Sequence, residues 1–264
     1  MKFFLLLIFF PMYSFSQDGL PIGVRSGTTI FTVISDTLIV VVADSKRRND
    51  NYWNNTSNYD TVCKIHSENE VVYGFAGSTT MFNPITGENI FNADDEMKSV
   101  LKNKQSFEDY FKLYNSVASS RLKDIYTPIF NSKNGGQFFD SIKTNGLFQI
   151  FMTGFINDKP NYISWYLTIV GDINNWKIIP TKIDNHLNEN INPSRYLIGP
   201  LGHTDEILNF LKNGHIITNM YSVENLNFLM GLEINKNPNE VGEPIRILRI
   251  RKDNSIMWLQ NPCQ

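Results

Sequence analysis

The sequence predicts an α+β domain. β-Branched runs gather at the start, middle and end of the chain, helical periodicities fill two separate blocks between them, and no strand-helix alternation of the kind that builds a parallel sheet is present. A length of 264 residues is enough for one large domain with its own core. Hydrophobic residues make up 42% of the chain and charged ones 19%, which excludes a disordered polymer. The balance of 24 basic against 26 acidic side chains supplies no basic field for nucleic acid.

Residues 1–17, MKFFLLLIFFPMYSFSQ, have one Lys, an apolar run over 3–10 and a small-residue stretch around Ser14 and Ser16. That layout is a secretory signal peptide. The run is too short for a bilayer core of about 30 Å, which needs around 20 residues. Cleavage is expected near Ser16 or Gln17, giving an exported, soluble protein, periplasmic or extracellular. Residues 18–27 then form a leader, and 28–264 a single domain.

In order, 28–34 and 38–43 predict a hairpin turning through Ser35-Asp36-Thr37. Its second strand is apolar on both faces and therefore buried. Residues 46–58 are charged and Asn-rich and predict a loop. A second hairpin is expected over 61–65 and 71–75. Helices are expected over 93–102 and 106–130, the latter capped by Ser106 and carrying Phe107, Phe111, Tyr114, Val117, Leu122 and Ile125 on one stripe. Residues 131–146 predict a polar surface insertion, and 147–155 with 163–170 a further strand pair. A strand is expected at 176–180, helices at 204–211 and 223–232, and a closing hairpin over 244–251 and 256–259.

The most specific feature is Gly27-Thr28-Thr29-Ile30, followed by a strand ending Val42-Ala43-Asp44-Ser45. With Cys63-Lys64-Ile65-His66, Gly74-Phe75-Ala76-Gly77, Tyr196-Leu197-Ile198-Gly199 and the run from Asn239 to Leu248, it resembles proteasome β-subunits, in the N-terminal nucleophile hydrolase family. The matches span about residues 27–250. The resemblance implies a four-layer αββα sandwich, two antiparallel sheets between helices. It also implies autocatalytic cleavage of the Gly27–Thr28 bond, Asp44 and Lys64 as supports of the exposed threonine, and the Gly77 N–H as oxyanion donor. Phe75 and Thr79 would border a substrate pocket that the bulk of Phe75 narrows. The substrate implied is a peptide or small amide; no cofactor or metal is implied, and a homo-oligomer is an expected partner state. A silent scaffold that keeps its leader is the alternative. The chain departs from the resemblance at Pro200, where active members carry Ser, and at Pro238 and Val241, where they carry Asp and Ser.

The chemistry stands without the family. A threonine hydroxyl needs a base beside it, and a free α-amino group with reference pKa of about 7.7–8.0 is one. An ammonium at Lys64 would lower that pKa further, and Asp44 would offset the cost of burying the lysine while accepting a hydrogen bond from Thr28.

Other signals are thinner. His66, His186, His203 and His215 lack metal-site spacing. Two S-x-x-K matches, at 99–102 and 120–123, lack companion motifs. Cys63 and Cys263 exclude a disulfide scaffold and leave one bridge open.

Overall fold

The computed structural model describes residues 23–26, 28–51, 56–103, 105–187, 191, 196–215 and 217–263. The signal segment 1–17 and residue 27 of the proposed cleavage site lie outside them. Four leader residues form β1 (Gly23–Ser26), followed by β2 (Thr29–Ile34) and β3 (Leu38–Ala43). Next come β4 (Lys46–Asn51), β5 (Thr56–Thr61), β6 (Ile65–Glu68), β7 (Val71–Gly77), β8 (Thr80–Phe82) and β9 (Asn89–Asn92). Helices α1 (Ala93–Leu101), α2 (Phe107–Phe130) and α3 (Gly135–Asn145) precede β10 (Phe148–Ile156), β11 (Lys159–Asp172), β12 (Asn175–His186) and β13 (Leu197–Gly202). The chain closes with α4 (Asp205–Lys212), α5 (Val223–Lys236), β14 (Arg246–Arg251) and β15 (Ile256–Gln260).

The α+β class holds, but the expected pair of sheets between helical layers does not. The strands divide among three five-stranded sheets, ordered β5-β4-β1-β8-β9, β12-β11-β10-β7-β6 and β13-β2-β3-β14-β15. The sandwich expectation fails on the first of these. Its strands β4 and β5 come from the stretch expected to be a loop, and its central strand is the leader.

Residues 46–61 hide their strands because both faces are polar, so no period of two appears in hydrophobicity. Cross-strand pairs substitute for apolar contacts: Arg47 faces Asp60 in register and holds it with Nε 2.8 Å from Oδ1, and Ser57 donates to Asp50 at 2.6 Å. A second correction is α3, which replaces the expected surface insertion. Its Phe138 and Phe139 are buried against Phe130 and Tyr126. Gly135, one of two glycines that suggested a loop, is required because a Cβ there would stand 2.2 Å from the Phe130 carbonyl oxygen.

Three buried clusters hold the layers. Ile30, Val41, Ile65, Val72 and Phe151 meet between the second and third sheets. Phe75, Tyr114, Phe148 and Trp165 pack the second sheet on α1 to α3, and Phe31, Val42, Ile207 and Leu229 pack the third on α4 and α5. β2 and β3 are therefore buried on both faces; the apolar run of β3 predicts this, whereas β2 also buries Thr29 and Thr32. Each such side chain contributes roughly 1.5–3 kcal/mol on burial. The turn Asn69-Glu70 between β6 and β7 has positive φ at both residues, 49° and 68°, the mirror-type turn that matches strand twist. Among the described residues no helix is long and apolar enough to cross a membrane.

Candidate active site

Thr28 precedes β2, and the end of β13 in the third sheet holds it and Thr29. β13 pairs antiparallel with β2, Gly202 opposite Thr29, so the next residue, His203, donates its N–H to the Thr28 carbonyl at 3.1 Å. The His203 carbonyl accepts the Thr29 hydroxyl at 2.7 Å. Gly202 has φ +74°, and a Cβ on it would lie 2.1 Å from the Thr28 carbonyl oxygen. Only glycine permits that approach.

Asp44 directly follows β3 at 0% exposure, where an unpaired carboxylate would be very costly. Four donors surround it. Oδ1 accepts from the Thr29 N–H at 2.8 Å and from Lys64 Nζ at 2.7 Å. Oδ2 accepts from the Lys46 N–H at 3.0 Å and the Gly242 N–H at 3.1 Å. Lys64 Nζ also donates to the Lys46 carbonyl. Burial pushes the Lys64 ammonium below its ordinary proton affinity, and Asp44 opposes that shift.

Gly77 ends β7 with φ +98°. Ser78 donates to the Leu147 carbonyl at 3.0 Å across the Gly77–Phe148 pair, which makes that pair the kind whose own members exchange no bonds. The Gly77 N–H consequently points away from β10, toward an edge that β6 leaves uncovered beyond Gly74.

Two cavities meet at Thr28, which is itself 4% exposed. One, of about 240 Å³, is lined by Thr28, Lys64, Phe75, Thr79, His66 and Asp94. The other, of about 350 Å³, is lined by Thr28, Gly77, Gln149, His203 and Glu240. The six residues expected to form the site, Thr28, Asp44, Lys64, Gly77, Phe75 and Thr79, thus converge on one region, with Asp44 behind Lys64.

Sequence reasoning missed its other members. Asp94 accepts the Tyr73 hydroxyl at 2.7 Å, lies 3.4 Å from His66 Nδ1 and pairs with Lys98 at 2.7 Å. Burial lowers the proton affinity of His66, with Asp94 opposing, and raises that of the Tyr73 phenol. His203 Nε2 stands 3.3 Å from Glu240 Oε2. No local spacing announces these contacts, since they join segments 28 and 37 residues apart.

Where hydroxyl and carboxylate groups were absent from the sequence, the structure shows backbone and core roles. Pro200 pairs with Phe31 in the third sheet, the Pro238 carbonyl accepts Lys46 Nζ, and Val241 is fully buried. Cys63 and Cys263 form a disulfide, Cα atoms 5.6 Å apart, next to Lys64. Both S-x-x-K pairs are exposed, along α1 and α2. Among the described residues no cluster of His, Cys, Asp and Glu is grouped to hold a metal ion. No protein-family model and no curated protein matches this chain.

Proposed function

We propose that the protein is an exported N-terminal threonine hydrolase, cut between Gly27 and Thr28, that cleaves amide bonds in peptides through an acyl-enzyme on Thr28. The observation that carries this reading is the convergence of Thr28, the buried Lys64–Asp44 pair and the outward Gly77 N–H around two open cavities. The sequence resemblance to proteasome β-subunits, which implies Asp44 as a support of the exposed threonine, supports it. The signal-peptide layout and the Cys63–Cys263 bridge support an oxidising, exported setting.

In processing, the Thr28 hydroxyl attacks the Gly27 carbonyl, the acyl group moves from nitrogen to oxygen, and water hydrolyses the ester. That leaves the α-amine free. In turnover the amine takes the hydroxyl proton as Oγ attacks the substrate carbonyl, and gives it to the leaving nitrogen. The Lys64 charge keeps the amine neutral near pH 7. The Gly77 N–H meets the developing oxyanion.

The leader points to a peptide substrate. β1 pairs antiparallel with β4 on one side, Ser26 opposite Arg48, and with β8 on the other, Arg25 opposite Thr80. An extended peptide would find both edges once the leader leaves. The same observation favours a second reading, a silent scaffold that retains its leader as the central strand of a sheet. Treatment with a β-lactone separates the two. A hydrolase gains one ester adduct, localised to Thr28 by peptide mapping and absent from Thr28→Ala; a scaffold gains none.

A further inference from the structure

We propose that His203, oriented by Glu240, is the base that activates the water which releases the acyl group from Thr28; the inference rests on the threonine hydrolase reading above. Three observations carry it. The His203 main chain is bonded to Thr28 and Thr29 on both its N–H and its C=O, so the side chain starts one residue contact from the nucleophile. His203 and Glu240 line the same cavity as Thr28 and Gly77. The imidazole is 42% and Glu240 38% exposed, so water reaches both.

The geometry assigns the ring nitrogens. Nε2 faces Glu240 Oε2 at 3.3 Å, and the other Glu240 oxygen is held 3.5 Å from Arg48 Nη1. A proton on Nε2 donates to this anchored carboxylate, leaving the Nδ1 lone pair free to accept. The order carboxylate, imidazole, reacting oxygen is that of a nucleophile-activating triad, with water as the oxygen.

The step balances. Water oxygen bonds to the acyl carbon while its proton passes to Nδ1; the imidazolium is stabilised by Glu240 and the oxyanion by the Gly77 N–H. Collapse breaks the bond from carbon to Thr28 Oγ, and Oγ takes the proton back from Nδ1. The products are a carboxylic acid and the free hydroxyl, with His203 neutral again.

The test uses p-nitrophenyl acetate on protein beginning at Thr28, with the background of Thr28→Ala subtracted. Wild type is expected to release a burst of one p-nitrophenol per chain and then turn over steadily. His203→Ala removes only the ring and keeps both main-chain bonds to Thr28 and Thr29. It is expected to retain the burst while the steady rate falls at least about 100-fold, and added imidazole is expected to restore part of the loss. His203→Gln, which keeps a hydrogen bond toward Glu240 without a base, is expected to behave likewise. A steady rate within twofold of wild type in either variant would overturn the assignment, as would joint loss of burst and turnover without imidazole rescue. Absence of any Thr28-dependent p-nitrophenol release in wild type would instead sink the hydrolase reading itself.

Discussion

Lys64 Nζ lies 2.7 Å from Asp44 Oδ1 in a pair whose side chains are 5% and 0% exposed. The two partners are not equivalent. Asp44 also accepts three backbone N–H groups, from Thr29, Lys46 and Gly242, whereas among the described residues Asp44 is the one carboxylate bonded to the Lys64 ammonium.

Removing either partner is therefore expected to give unequal losses of stability. Asp44→Asn leaves a buried ammonium without its counter-charge and is expected to cost about 3–5 kcal/mol. Lys64→Met leaves a carboxylate still held by three donors and is expected to cost less, while abolishing turnover. Urea denaturation of both variants, followed by amidase assay of the folded fractions, checks this.

The His66 side chain makes stability fall on mild acidification. Its folded-state proton affinity is pushed below the ordinary value of 6.5, chiefly by burial. Between the folded pKa and 6.5 the unfolded chain binds the extra proton, so stability rises with pH through that window and is lost as pH falls. Melting temperature measured from pH 7 to pH 5 is expected to drop, and His66→Gln is expected to flatten part of that slope.

Gly202→Ala is expected to damage both stability and processing. The new Cβ would meet the Thr28 carbonyl oxygen at 2.1 Å in a φ +74° conformation, a strain of about 1–3 kcal/mol at the residue before any displacement of Thr28. A lower unfolding midpoint and slower appearance of a Thr28 amino terminus, followed by mass spectrometry, are the expected outcomes.

The bridge from Cys63 to Cys263 closes a span of 200 residues, and loops that long gain most from cross-linking. Replacing both cysteines with serine is expected to lower stability by about 2–5 kcal/mol, read as the shift in the urea midpoint. Because Cys63 adjoins Lys64, the double variant is also expected to lose turnover at temperatures where it remains folded.

Much of the core was legible in the sequence because its signals are local. The β-branched run of β2, the unbroken apolar run of β3, the stripe of α2 and its Ser106 cap, and the two glycine-punctuated ends at Thr28 and Gly77 depend on near neighbours. The first sheet was not legible. β4 and β5 are polar on both faces, and β1 becomes a strand only because β4 and β8 offer edges to it. α3 was hidden by Gly135, whose reason is a contact with the end of α2 rather than a turn. Of the site, residues at recognisable spacing were found, while His66 with Asp94 and His203 with Glu240 were missed because each pair is made by chain crossings.

The central claim is that Thr28 becomes a chain terminus. Intact-mass and amino-terminal sequencing of the purified protein and of Thr28→Ala test it most directly. The expected result is wild type beginning at Thr28 and the variant beginning near Asp18; a wild-type chain that keeps residues 18–27 while its amidase activity persists would contradict it.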